Sequence, residues 1–206
     1  MITGVVLAAG SSSRFGRTKQ LERYRGAALV QHPVDALEEA GVDEIVVVLG
    51  HDAEAVRDAL RLPTNARIVE NAEHAKGQAT SLVMALRSAH ERSDGAVVLP
   101  ADQPGITPGH VRALVEAFEA RPSGIVRLRF RDGPGPTLLG RDVWSEAMQL
   151  EGDVGARALI EAHPDEVREL QLAEDRPPDI DTPEDLRRLE AHRNEERPRS
   201  RGPGAL

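Results

Sequence analysis

The segment VVLAAGSSSRFGRTKQL, residues 5–21, passes from an apolar run into glycines, serines and separated cations. Gly10 lets a ligand approach the main chain, and exposed N–H groups beside Arg14 and Lys19 could bind an anion such as a phosphate. The spacing is not that of a Walker loop, because five residues rather than four separate Gly10 from Gly16, and G-x-G-x-x-G is absent. These residues predict an anion site, with an ordinary connecting turn as the alternative.

Two acidic segments could supply a metal site. Asp102 follows the apolar run AVVL within PADQPGITP, and PDIDTPEDL places Asp179 and Asp181 just ahead of a helical pattern. Mg²⁺ prefers oxygen ligands, and the Mg²⁺ that accompanies nucleotide phosphates is commonly held by one or two carboxylates. Each aspartate could instead be a turn former or, for Asp181, a residue that merely precedes the capping Thr182. The residues alone leave both interpretations open.

Two further segments combine glycine with polar side chains. In KGQATS, Gly77 permits close approach of a ligand to which Ser81 could hydrogen-bond, although an ordinary helix start would look the same. LEGDVGAR is a second glycine-spaced turn that could bind the phosphate or polar ring of a second substrate, unless its aspartate only caps the next helix. The residues of this turn that would make the contacts are Gly152, Asp153, Gly155 and Arg157.

The elements that must position these residues alternate along the chain. Short β-rich apolar runs predict strands at residues 2–8, 44–49, 67–69, 96–99 and 125–130. Amphipathic patterns and capping residues predict helices at residues 27–40, 52–60, 77–89, 107–120 and 141–150, and from Thr182 onward. This alternation predicts an α/β fold of three layers with a mostly parallel sheet. Such sheets bind ligands beyond the carboxyl ends of their strands, where the polar segments lie.

Composition restricts the class of protein further. The 206 residues suffice for one domain, predicted at residues 1–193, and the charged, aperiodic residues 194–206 predict a disordered tail. A net charge of −8 argues against a nucleic-acid partner, because that affinity depends on neutralising phosphates. The absence of cysteine excludes disulfides and thiolate catalysis. Without a basic leader or a long apolar run, a cytoplasmic protein with no membrane partner is expected.

Taken in order, these segments resemble the molybdopterin nucleotidyltransferases, most closely the molybdenum cofactor cytidylyltransferases. LAAGSSSRFGRTKQL is similar to the signature L-A-[AG]-G-x-S-x-R-[MF]-G-x-x-K, PADQP to the metal-binding segment, GDVGAR to the acceptor-side loop and DIDTPEDL to the C-terminal metal motif. The resemblance covers residues 2–189. It implies a three-layer Rossmann-like nucleotidyltransferase fold with a mostly parallel, mixed sheet, and Mg²⁺ as the cofactor.

The resemblance also implies roles for individual residues. Arg14 and Lys19 would bind the triphosphate and offset charge on the departing pyrophosphate, Asp102 and Asp181 would hold Mg²⁺, and catalysis would rest on Arg14, Lys19 and Asp102. The nucleotide would contact Ala8, Ala9, Gly10, Ser12, Arg14, Lys19, Gly77 and Ser81. The acceptor would contact Gly152, Asp153, Gly155 and Arg157.

The activity implied is transfer of CMP from CTP to the terminal phosphate of molybdopterin, with release of pyrophosphate. Ala9 favours CTP because guanylyl relatives typically have glycine there, whereas Gly135 stands where relatives commonly carry a His or Asn toward the acceptor. Transfer from CTP, GTP or ATP to another small phosphorylated acceptor is an alternative. From different classes, the chain could be a non-catalytic molybdenum-cofactor carrier or a dinucleotide-binding oxidoreductase. A molybdenum hydroxylase or its chaperone would be the protein partner.

Overall fold

The computed structural model describes the main chain of residues 1–196 and the side chains of residues 1–191. Its strands, in chain order, are β1 (Ile2–Ala8), β2 (Arg23–Tyr24), β3 (Ala27–Ala28), β4 (Glu44–Leu49), β5 (Ala66–Glu70), β6 (Gly95–Pro100), β7 (Ile125–Phe130), β8 (Gly133–Gly140) and β9 (Val167–Gln171). Strands β2 and β3 form a small hairpin, and the other seven form one sheet in the order β5-β4-β1-β6-β8-β7-β9. In this sheet β8 runs antiparallel to β6 and β7, and the other neighbouring strands are parallel. The mostly parallel, mixed sheet expected from the sequence is confirmed.

Helices cover both faces of the sheet. They are α1 (Gln31–Ala40), α2 (Ala53–Ala59), α3 (Gln78–Ser88), α4 (Pro108–Glu119), α5 (Trp144–Ala147), α6 (Ala156–Ala162) and α7 (Pro183–Glu196). Of the two large buried clusters, one includes Leu37 of α1 and the other includes Leu82 of α3. Successive residues of β1 point to opposite faces, so Val6 joins the first cluster and Val5 the second. The predicted three layers are therefore present, and each fully buried leucine contributes roughly 1.5–3 kcal/mol to their packing.

The central strands end together and thereby create one functional edge. Ala8 of β1 lies beside Leu49 of β4, and Leu7 lies beside Pro100 of β6. The segments that follow these strands start at the same edge, including the loop that contains Gly10. This alignment brings together side chains that are far apart in sequence, as the parallel topology predicts.

Strand β8 is not indicated by the sequence, because its first half, GPGP, contains two prolines. Its ladder with β6 uses only residues 137–140, so neither Pro134 nor Pro136 has to donate a hydrogen bond to that neighbour. Strand β9 at the sheet edge and the β2–β3 hairpin are also absent from the sequence prediction. The predicted helix at residues 27–40 begins four residues too early, because Ala27–Ala28 form β3. Of the predicted helix at residues 141–150, only Trp144–Ala147 is α-helical.

The last helix extends beyond the predicted domain end. Helix α7 continues to Glu196, three residues past position 193, and residues 197–206 of the predicted tail lie outside the described residues. In the part of the chain that the structure describes, no helix is both long and apolar enough to cross a membrane.

Candidate active site

Lys19 lies at the centre of a charged cluster at the carboxyl edge of the sheet. Its Nζ donates to Asp102 Oδ2 at 2.8 Å and to Asp181 Oδ1 at 3.0 Å, and Asp181 Oδ2 lies 3.0 Å from Arg14 Nη1. Burial lowers the pKa of Lys19, but the charge of Asp102 and hydrogen bonds to both carboxylates outweigh burial and raise that pKa above its ordinary value. Lys19 therefore stays a cation at neutral pH, and the cluster brings together four residues that the sequence analysis selected.

A single main-chain hydrogen bond joins the two segments that carry the carboxylates. The N–H of Ile180 donates to the carbonyl of Asp102 at 2.9 Å, and the Ile180 side chain is fully buried in a cluster with Phe15. Asp181 is the next residue after Ile180, so this bond holds its side chain close to Lys19. The structure thus distinguishes the two candidates of the C-terminal motif: Asp181 reaches the cluster, whereas Asp179 bonds elsewhere.

The first turn of α7 also holds Asp181, because the main-chain N–H of Asp181 donates to Asp185 Oδ2 at 3.2 Å. The side chain of Thr182 accepts a hydrogen bond from the N–H of Asp185 at 3.3 Å, and Asp185 Oδ2 accepts from the N–H of Thr182 at 2.8 Å. This reciprocal pair is a capping box with aspartate in place of the usual Glu or Gln. A further hydrogen bond from the Thr182 hydroxyl lowers the pKa of Asp185, which keeps the cap charged. Thr182 caps the helix as the sequence predicts.

Gln20 organises the loop after β1, although no sequence motif singles it out. Its buried Nε2 donates to the carbonyls of Ala8 at 3.1 Å and Gly10 at 2.8 Å, and its Oε1 accepts from Ser12 Oγ at 3.0 Å. Ser12 Oγ in turn accepts from the N–H of Lys19 at 3.2 Å. The hydroxyl of Ser12 is thus engaged within the loop, where it helps to aim Lys19. Only the folded loop shows this role, because the partners of Gln20 are main-chain carbonyls.

A cleft of about 620 Å³ opens beside the charged cluster. Ala8 does not line it, since that residue is buried and its carbonyl is bound by Gln20. Ser81 Oγ accepts from Asn71 Nδ2 at 2.9 Å, which leaves the Ser81 hydroxyl hydrogen available to a ligand. The predicted residues that do line this first cleft are Ala9, Gly10, Ser12, Arg14, Lys19, Gly77, Ser81, Asp102 and Asp181.

A second cleft of about 530 Å³ adjoins the first and shares part of its wall. Of the predicted acceptor residues, Asp153, Gly155 and Arg157 line it, and Asp153 lines both clefts. Gly152 lines neither cleft. The Arg157 side chain is 86% exposed and pairs with Glu161 at 2.7 Å, so it lies at the rim.

The two clefts are connected through a close main-chain contact. Gly77 has φ +123°, and a Cβ at this position would lie 2.2 Å from the carbonyl carbon and oxygen of Gly152. The carbonyl of Gly152 also accepts the N–H of Ala79 at 3.1 Å. The close approach that the sequence suggested at Gly77 is therefore made by the neighbouring loop, and it links the segment at Gly77 to the loop at Gly152.

Gly135 lines the second cleft but has no room for a side chain. A Cβ at this position would lie 2.4 Å from the ring of Phe130. The His or Asn that relatives carry here would therefore require Phe130 to move. Position 135 thus offers no polar side chain to the second cleft, because Phe130 of β7 packs against this part of β8.

The donor set at the charged cluster fits a hard divalent cation. Asp102 and Asp181 converge on one cationic atom, and their side chains are 24% and 33% exposed, so a phosphate or water could complete the coordination. Among the described residues, no group of three or more His, Asp or Glu side chains could hold a metal alone. The ligands of a metal here would therefore come partly from these two carboxylates and partly from a bound substrate. Such an arrangement can position a phosphate and neutralise its charge.

Comparisons with known proteins find relatives with different names. Over 199 residues, covering 91% of this chain and 96% of the relative, the chain is 32% identical to nicotine blue oxidoreductase of Paenarthrobacter nicotinovorans. It is also 32% identical over 114 residues to a probable molybdenum cofactor guanylyltransferase of Bacillus mycoides, covering 55% of this chain and 54% of that protein.

Solved structures show the same fold. The crystal structure of Rv0371c from Mycobacterium tuberculosis H37Rv is 38% identical, covers 91% of this chain and 96% of its own, and gives a TM-score of 0.82. A complex of Rv0371c with manganese gives 36% identity and a TM-score of 0.78, with 91% and 97% coverage. The family model described as the MobA-like NTP transferase domain matches residues 4–167. The resemblance to molybdopterin nucleotidyltransferases is confirmed at this level, and the chain belongs to the MobA-like NTP transferase family.

Proposed function

We propose that this protein is a Mg²⁺-dependent nucleotidyltransferase that transfers CMP from CTP to the terminal phosphate of molybdopterin. The observation that carries this proposal is the contact of Lys19 with Asp102 and Asp181 beside the first cleft. An oxygen of the acceptor phosphate forms a bond to the α-phosphorus of CTP, while the bond from that phosphorus to the β-phosphate oxygen breaks and pyrophosphate leaves. Such a transfer depends on positioning and charge stabilisation, so it requires no protein nucleophile.

The residues of the cluster divide this work. Asp102 and Asp181 would hold Mg²⁺, which when bound supplies positive charge against the phosphate oxygens. Lys19 keeps its proton at neutral pH and is aimed by Ser12, so it can pair with oxygens of the departing pyrophosphate. Arg14, whose side chain is 75% exposed, can turn from Asp181 to the same phosphates.

The choice of nucleotide rests on Ala9. Its side chain is 4% exposed and lies against the first cleft, where a methyl group in place of hydrogen reduces the space for a base. This favours the smaller pyrimidine of CTP. The relative from Bacillus mycoides is named for guanylyl transfer, so GTP and ATP belong in the same test. The choice of molybdopterin rests on the family resemblance and on the second cleft, which adjoins the first.

The decisive experiment incubates the protein with Mg²⁺, molybdopterin and each of CTP, GTP and ATP, and measures pyrophosphate release. We expect release with CTP and almost none from Asp102→Ala, with the fold retained in circular dichroism. Asp94→Asn is the matched control, because Asp94 is 66% exposed at the opposite end of β6 and pairs only with the amino terminus among described residues. Absence of release with every nucleotide would refute the proposed acceptor, and delivery of finished cofactor by Asp102→Ala would instead identify a carrier.

The second candidate function is an oxidoreductase, because a relative of nearly full length carries that name. The loop after β1 argues against a bound dinucleotide: α1 does not begin until Gln31, so no helix N-terminus follows β1 to receive a pyrophosphate. The test follows NADH or NADPH absorbance in the presence of an electron-accepting dye. Sustained, enzyme-dependent oxidation without pyrophosphate release would favour this candidate over nucleotidyl transfer.

A further inference from the structure

The second cleft has a polar wall opposite the glycine-spaced loop. Gln103 forms part of this wall and is 6% exposed. Its Nε2 donates to Asp179 Oδ1, and because a carboxylate only accepts, the orientation of this amide is determined. Within the described part of the chain, no donor reaches Gln103 Oε1. The cleft therefore contains a buried hydrogen-bond acceptor that the protein itself leaves unused.

Arg176 supplies a fixed cation beside this amide. One of its guanidinium nitrogens lies 2.9 Å from Asp179 Oδ2, and its side chain runs past Gly133, where a Cβ would stand 3.7 Å from Nε. Asp179 thus receives Gln103 on one oxygen and Arg176 on the other. A guanidinium has five N–H donors in a rigid plane, so this pairing leaves others for an anion in the cleft.

Holding the chain in place does not require the Arg176 side chain. The main-chain N–H of Arg176 already donates to Asp132 Oδ1 at 2.7 Å, and the N–H of Arg131 donates to the carbonyl of Glu174 at 3.0 Å. Arg157, the other cation lining the cleft among described residues, is largely in solvent and paired with Glu161. Arg176, whose side chain is 32% exposed, is therefore the better-ordered cation for a ligand.

Much of the remaining wall is apolar, although Gln78, Thr137 and Glu161 also line it. Two prolines of β8 and apolar residues of β1 and β6 share this wall, and such a surface suits a flat ring system. The residues that form this surface are Leu7, Val98, Pro100, Pro134 and Pro136.

We propose that the second cleft binds a phosphorylated acceptor with a flat ring body that carries an N–H or O–H group, and that Arg176 binds its anionic group while Gln103 Oε1 accepts a hydrogen bond from that N–H or O–H. This inference rests on the proposed nucleotidyl transfer and adds the residues of its acceptor side. The chain connects the two clefts directly, because Asp102 lies in the first and the adjacent Gln103 lies in the second. On the other segment, Asp181 lines the first cleft, and Asp179 bonds to Gln103 and Arg176, which line the second.

The test uses 4-hydroxyphenyl phosphate as the probe, because it combines a phosphate monoester with a ring whose O–H can donate to Gln103 Oε1. It is titrated into ¹⁵N-labelled full-length protein, with and without saturating Mg²⁺ and a non-hydrolysable CTP analogue, and the spectra of the Gln103 amide and Arg176 Nε–H are followed. We expect saturable shifts at both groups and at least a tenfold weaker affinity in Arg176→Ala. The matched control is Arg131→Ala, which removes a surface Arg–Asp pair from the same region without touching either cleft.

Three results would overturn the inference: no saturable binding, shifts confined to residues 152–157, or equal affinity in the wild type and Arg176→Ala. A parallel loss of affinity for the CTP analogue in Arg176→Ala would also overturn it, since Arg176 would then serve the first cleft. Failure of the proposed function is separate. If 4-hydroxyphenyl phosphate binds at Arg176 but molybdopterin and CTP yield no pyrophosphate, the anion site stands and molybdopterin is the wrong acceptor.

Discussion

Replacement of Gly77 by alanine should damage both stability and catalysis. The main chain at Gly77 has φ +123° and ψ 168°, a region that is almost confined to glycine, and another residue there costs about 1–3 kcal/mol. The new Cβ would lie 2.2 Å from Gly152, whereas ordinary contact begins at 3.4 Å, so the Gly152 loop must retreat by about 1.2 Å (3.4 minus 2.2). A misplacement near 1 Å at a reacting centre costs about 100-fold in rate. Gly77→Ala should therefore lose about 1–3 kcal/mol in unfolding free energy and about 100-fold in turnover.

Gly152→Ala separates the contact from the general cost of replacing a glycine. Gly152 also has positive φ, +72°, but no atom lies within 4 Å of its added Cβ. This control should lose about 1–2 kcal/mol from left-handed strain and leave the loop in place. Urea unfolding gives the stability of each variant, and pyrophosphate release with saturating CTP gives its turnover. If Gly77→Ala retained the turnover of Gly152→Ala, the contact between the two loops would not govern the alignment of the substrates.

Three further variants test the loop, the sheet and the charged cluster. Gln20→Leu leaves two main-chain carbonyls without their donor. We therefore expect the unfolding free energy measured in urea to fall by about 1–3 kcal/mol and CTP binding measured by calorimetry to weaken. An unchanged urea midpoint would contradict this expectation. Burial raises the pKa of Glu44, but hydrogen bonds, of which the one from Arg67 is the strongest, outweigh burial and lower this pKa below its ordinary value. The ionised Glu44 therefore stabilises the fold above its ordinary pKa, and this stabilisation is lost as pH falls through the lowered pKa. The midpoint temperature of thermal unfolding, measured over roughly pH 3–6, should accordingly decrease more steeply with falling pH in the wild type than in Glu44→Gln. Parallel curves of the two midpoints against pH would refute this role of Glu44. Lys19→Met removes the cation between the two carboxylates and should reduce pyrophosphate release about 10²- to 10³-fold while the chain still folds, and a reduction below about tenfold would exclude Lys19 from charge stabilisation.

The sequence indicates the site well where polar residues occupy the segment that follows a strand. Asp102 lies just past β6 and Lys19 lies later in the loop after β1, and the parallel sheet brings the two side chains together. Gln20 could not be predicted from the sequence, because its Nε2 donates to main-chain carbonyls whose orientation is set only when the loop folds. Ser12 was selected for the nucleotide, yet its hydroxyl accepts the N–H of Lys19, a contact that residue type alone does not reveal.

The fold was predictable where apolar runs are continuous and strands are buried. The central strands β1, β4 and β6 follow such runs. Strand β8 follows no such run. Its two prolines lie outside the ladder with β6, although Pro134 pairs with Arg129 of β7, and this placement depends on the register of β8 with both neighbours. Arg176 and Gln103 were likewise not predicted, since they are 73 positions apart in the sequence and meet through their shared partner Asp179 in the folded chain.

The hydrogen bond from Ile180 to Asp102 makes the site a late product of translation. Asp102 and Asp181 are 79 positions apart, and at about 5–20 residues per second a ribosome takes on the order of 4–16 s to proceed from one to the other. Throughout that interval Asp102 has been made but Asp181, the second carboxylate partner of Lys19, has not. The last strand of the sheet ends at Gln171, so a growing chain would contain all of its strands before it contains the complete charged cluster. Cleavage ahead of Ile180 would leave every strand of the sheet but remove Asp181, and under the proposed function the remaining fragment should be inactive.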